Sequence, residues 1–133
     1  MTTKATTTAT TDTATATANT PRRSPFLQIA MALQTLTLFL QAVSAGLLLT
    51  SPFGATLHSA GARVMYGASM LCVLAAVLAW KPGGGPARPI WHASGLLVLA
   101  SAQVVLGIAH VPSVHVPLGV LMFGLSALAL TRR

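Results

Sequence analysis

The fold this sequence predicts is all-α: a transmembrane four-helix bundle of up-down-up-down topology, made of two repeated helical hairpins, with both termini in the cytoplasm. Three observations predict it. Apolar residues fill 53% of the 133 positions and charged residues only 7%, whereas a water-soluble globular chain is about one-quarter charged. The apolar residues fall into four stretches, each near the length of about 20 residues that crosses a hydrocarbon core of about 30 Å. The eight Lys and Arg residues lie mostly at the edges of those stretches, on one side of the implied membrane. A net charge of +7 so distributed marks membrane flanks and not a nucleic-acid face. The partner that composition implies is the lipid bilayer.

Residues 1–24 form a Thr/Ala-rich segment without apolar periodicity, which lacks the buried area to offset ordering entropy and is expected to be a disordered cytoplasmic tail. The membrane domain is residues 25–133. Pro21-Arg22-Arg23-Ser24-Pro25 punctuates the chain, and no charge follows until Arg63. The first span is about 26–50, ended by Ser51-Pro52-Phe53-Gly54. The second is about 57–80, with Arg63 its only charge, and stops at Lys81-Pro82-Gly83-Gly84-Gly85-Pro86, a loop by its breakers. The third is about 90–110, followed by Val111-Pro112-Ser113, and the fourth about 114–130, before Arg132-Arg133. Short connections make successive helices antiparallel neighbours. Lys4, Arg22, Arg23, Lys81, Arg88, Arg132 and Arg133 share one side, which the retention of positive charge makes cytoplasmic. A cleavable signal peptide is the competing reading of the first span, with Val43-Ser44-Ala45 as the cleavage site. Against it, the apolar run continues through Leu47-Leu48-Leu49.

Asp12 is the only acidic residue. Paired-carboxylate catalysis, carboxylate metal sites and acidic proton relays are therefore excluded from the membrane domain, and an enzyme acting on its own is not expected. Cys72 is single and lies in an apolar run, so it reads as a packing residue.

The second and fourth spans repeat. His58 aligns with His115, Met65 with Met122, Tyr66 with Phe123, Gly67 with Gly124 and Ser69 with Ser126. In the preceding spans Gln41 and Gly46 loosely match Gln103 and Gly107. At about 100° per residue, offsets 0, 4, 7 and 11 share one helix face. That face carries His58, Ala62, Met65 and Ser69 in one helix and His115, Gly119, Met122 and Ser126 in the other. Two equivalent imidazoles, with small residues one turn deeper and methionines below, leave room for a flat ligand and suit bis-histidine ligation of a haem iron. Interfacial, solvated histidines are the alternative, and Met65 and Met122 read as core rather than ligands. Gln34, Gln41 and Gln103 are placed for interhelical hydrogen bonds, with haem or quinone contact secondary, and Gly67 and Gly124 for close packing. Arg63 has no acid in the span to pair with. It snorkels to water or meets lipid phosphate or a haem propionate. His92 falls at the cytoplasmic end of the third span. His110 alone could join the His58/His115 layer, in which case a transition-metal site is a third possibility.

The runs Phe39-Leu40-Gln41 to Ala45-Gly46, Leu57-His58-Ser59-Ala60-Gly61-Ala62-Arg63, Ala102-Gln103-Val104-Val105-Leu106-Gly107 and Val114-His115-Val116-Pro117-Leu118 resemble an uncharacterised family of small four-helix bacterial integral membrane proteins, across residues 26–131. A helix with Gln-x-x-Leu-Gly ahead of a His-initiated helix also resembles, remotely, one four-helix half of haem A synthase. That resemblance implies the bacterial plasma membrane and a haem pocket on the outer side, and it carries over to His58 and His115 only. Haem A synthase has two such units and a catalytic carboxylate near the helix-two histidine. This chain has one unit and no such acid, so haem-methyl oxidation is not expected. The resulting expectation is a haem b cytochrome or haem-handling protein with His58, His115, Arg63, Ala62, Gly119, Met65 and Met122 at the site and a membrane redox partner or quinone. The alternative is a cofactor-free accessory subunit.

Overall fold

The computed structural model describes residues 24–131 and is all-α: α1 (Pro25–Leu47), α2 (Gly54–Trp80), α3 (Arg88–Ile108) and α4 (Pro112–Thr131). The tail expected at residues 1–24 lies, apart from Ser24, outside the described residues. Ser24 caps α1, its Oγ accepting from the Leu27 amide at 3.2 Å, and Pro25 takes the first helical position, where a missing N–H costs nothing. The same logic moves one boundary. Pro112, expected to sit in a break before the fourth span, is the first residue of α4. α1 ends three residues before the expected position 50, and α2 starts three before 57. The connection between them turns so closely that a Cβ on Gly54 would overlap the Leu47 carbonyl. At the end of α3, His110 adopts a left-handed φ of 55°. The Val111 amide bonds the Leu106 carbonyl and the His110 amide that of Gly107, which closes the helix as a Schellman motif.

The helices pack in a ring, α1 against α2 and α4, and α3 against α2 and α4. Three layers fill it. At the end holding Ser24 and Arg88, Leu27, Ala30, Met31, Cys72, Ala75, Ala76 and Ala93 form a small-residue core. Cys72 is buried there as a packing residue. Leu38, Met65, Leu96, Ala100 and Met122 form the middle layer. Polar pairs tie neighbours together: Gln34 Nε2 donates to Ser69 Oγ (3.1 Å), and the hydroxyls of Thr35 and Ser126 (2.7 Å) and of Tyr66 and Ser101 (3.1 Å) meet. The third layer, at the His58 end, is the site.

All four helices are long and apolar enough to cross a membrane, yet only 17–33% of each span is buried within the bundle. The remaining apolar surface points outward, including Ile29 at 67% exposure and Ile108 at 75%. Water would penalise such a surface heavily and hydrocarbon would not. Gly67 and Gly124, expected at close helix contacts, open onto free space in this bundle.

Candidate functional site

Between the four helices at the end away from Arg88 lies a cavity of about 940 Å³. His58, Arg63, Ala62, Met65, His115, Gly119 and Met122, the residues singled out above, all line it. The repeat explains why. Each histidine stands one turn into its helix, on the face whose deeper residues Met65 and Ser69, or Met122 and Ser126, are 0–4% exposed. That face must point inward, so the histidines converge.

The rings of His58 and His115 have centroids 6.2 Å apart, with planes inclined by 66°. Each is held through Nδ1 by the helix that precedes its own. His115 Nδ1 lies 3.1 Å from the Gln103 carbonyl. A carbonyl only accepts, so this nitrogen carries the proton, and Nε2 is left for a ligand. His58 Nδ1 lies 3.0 Å from Ser44 Oγ. Either atom can carry the proton of that contact; when the Ser44 hydroxyl donates to the Gln41 carbonyl, 3.0 Å away, the proton stands on His58 Nδ1 and Nε2 is free. Gln41 Nε2 meanwhile reaches the His58 backbone carbonyl at 3.3 Å. Each imidazole thus has the outer partner that ligating histidines ordinarily have.

Small residues keep the space open. A Cβ on Gly119 would come within 2.8 Å of Gln103 Nε2, and Gly119 lets that amide lie beside α4. Gln103 Oε1 is buried and has no hydrogen-bond partner among the described residues, so the expected interhelical bond of this side chain is not made there; its backbone carbonyl bonds His115 instead. Gln34 and Gln41 do bond the neighbouring helix. Met65 and Met122, with Leu38, close the inner side as core residues. Arg63 is exposed and lines the cavity beside Tyr66, with no ion pair among the described residues.

Two further histidines stand apart. His110 does not line the cavity, because its left-handed backbone ends α3, and His92 lines a separate groove. No group of three or more His, Cys, Asp or Glu side chains able to hold a metal occurs among the described residues. A site made of His58, His110 and His115 is therefore not formed. Ser44 and the Gln103 carbonyl are the site residues that sequence reasoning missed. One is a common helix residue and the other a backbone atom, and neither leaves a pattern.

Fold and site together define a small multi-pass integral membrane protein with a paired-imidazole cavity. No family model matches the chain, and neither a characterised protein nor a solved structure is significantly similar to it. The likeness to one half of haem A synthase has no support beyond the residues quoted for it.

Proposed function

We propose that the chain is a single-haem membrane cytochrome or haem-handling protein of the bacterial plasma membrane, with His58 and His115 as axial ligands of a haem b. Ring separation is the observation that carries this reading. Two imidazoles that held one iron between them would stand with ring centres about 6.2 Å apart, twice the sum of a metal–nitrogen bond of about 2 Å and about 1.1 Å from nitrogen to ring centre. The 6.2 Å between His58 and His115 fits that spacing, and the donor set of two neutral imidazoles fits haem iron. Ser44 and the Gln103 carbonyl orient the ligating rings. Ala62 and Gly119 leave room beside them, Met65 and Met122 seal the inner side, and Arg63 would supply the charge for a propionate carboxylate. Reversible one-electron exchange is the chemistry a haem so ligated supplies, with a membrane redox partner or quinone at the other end.

The two hairpins α1–α2 and α3–α4 are then repeats placed up-down-up-down across the bilayer. Lys81, Arg88 and both termini lie in the cytoplasm, and the cavity lies toward the outer side. A cofactor-free accessory subunit is the second reading, in which the same Nδ1 hydrogen bonds do no more than hold two interfacial histidines in place. Purification from cells supplied with haem precursor separates the two. Sharp low-spin bands are expected in the reduced protein, converted to a high-spin spectrum or lost in His58→Ala and in His115→Ala. A colourless, folded protein that takes up no added haem refutes the cytochrome and leaves the accessory subunit.

A further inference from the structure

At the opposite end of the bundle, a groove of about 360 Å³ runs between α3 and α4, lined by Trp91, His92, Gly95, Leu96, Leu99 and Leu125. It shares nothing with the imidazole cavity. Along α3 the residues Arg88, His92, Gly95 or Leu96, and Leu99 recur at steps of three and four, so they lie on one face. The apolar groove is therefore continued, one turn toward the helix start, by an exposed guanidinium that has no hydrogen-bond or ion-pair partner among the described residues. Trp91 stands at the rim, 78% exposed. Glycine shapes the floor: a Cβ on Gly95 meets nothing within 4 Å, so the space above it is open. Lys81, its ammonium 4.7 Å from the Trp80 ring centre, adds a cation at the same end, and no acidic side chain occurs among the described residues to neutralise either charge.

We infer that this groove is a binding site for an anionic phospholipid, with one acyl chain over Gly95 between Leu96, Leu99 and Leu125 and the headgroup phosphate at Arg88 and His92. Charge selects the occupant. An apolar trough alone accepts any chain, but a trough that ends on an unpaired arginine, with an aromatic belt residue beside it, discriminates by headgroup. The lipid also neutralises Arg88, which no side chain in the described bundle does. This inference stands whether or not the protein holds haem.

The chain has two tryptophans, so Trp80→Phe leaves Trp91 as a reporter beside the site. In mixed vesicles, quenching of Trp91 by brominated phosphatidylglycerol is expected to exceed quenching by brominated phosphatidylcholine at equal mole fraction. One interfacial cation contributes about a fivefold preference, which Arg88→Gln in this background should abolish and Arg88→Lys should largely keep. Gly95→Leu, whose Cβ meets nothing within 4 Å, extends a side chain into the groove and should remove the preference while bulk-lipid quenching persists; helicity by circular dichroism confirms that each variant is folded. Equal quenching by both lipids in the Trp80→Phe protein overturns the inference. So does shielding of Trp91 from all lipid, which would show a second copy or a protein partner on this face.

Discussion

Replacing Ser44 by alanine removes one oxygen, the atom 3.0 Å from His58 Nδ1, and little else. Ser44 is 8% exposed and lies inside α1. Alanine is smaller and a better helix former by roughly 0.5 kcal/mol, so the bundle keeps its fold. His58 loses the contact that orients its ring, while His115, held by a backbone carbonyl, keeps its own. Loss of an outer partner of this kind lowers metal affinity about 10- to 100-fold, or roughly 1.4–2.7 kcal/mol. The lower figure applies here, because His58 is only half-buried and water can replace the hydroxyl. A haem titration followed by absorbance should therefore show a dissociation constant raised about tenfold in Ser44→Ala, with the low-spin bands retained and Ser44→Thr near wild type. An unchanged constant in Ser44→Ala, with the wild-type spectrum, refutes the ligation geometry, since the ring would then be held by something other than Ser44.

Three other outcomes follow from the packing. Gly119→Leu places a side chain in the cavity and drives its Cβ against Gln103 Nε2; haem should be lost while membrane insertion, checked by alkaline extraction, is kept. A double-mutant cycle of Gln34→Leu and Ser69→Ala, measured by reversible unfolding in mixed micelles, should give a coupling of about 0.6 kcal/mol and no more than about 1.7. A coupling of zero would contradict the α1–α2 register. In a Cys72→Ala background, Ser51→Cys should react with an impermeant thiol reagent from outside the cell only; reaction from the cytoplasmic side alone would invert the orientation and the placement of the imidazole cavity with it.

The four spans were legible in the sequence because a bilayer imposes a length and a polarity that few residues can satisfy in any other way. Boundaries were less so: Pro112 breaks a pattern on paper but starts a helix in space, since only the first helical turn can do without an amide hydrogen. The imidazole pair was legible too, through the 57-residue offset of His58 and His115 and the inward face they share with Met65 and Met122. Periodicity assigns residues to a face and a depth, and no more than that. Which atom bonds each histidine depends on the rotation and height of a neighbouring helix, and these are set by packing across the whole bundle. So Gln103, marked by its side chain, serves through its carbonyl, Ser44 enters unannounced, and His110, eligible by depth, is turned away by a left-handed helix end. The groove beside Gly95 likewise exists only once α4 brings Leu125 alongside α3, a long-range contact that no local pattern encodes.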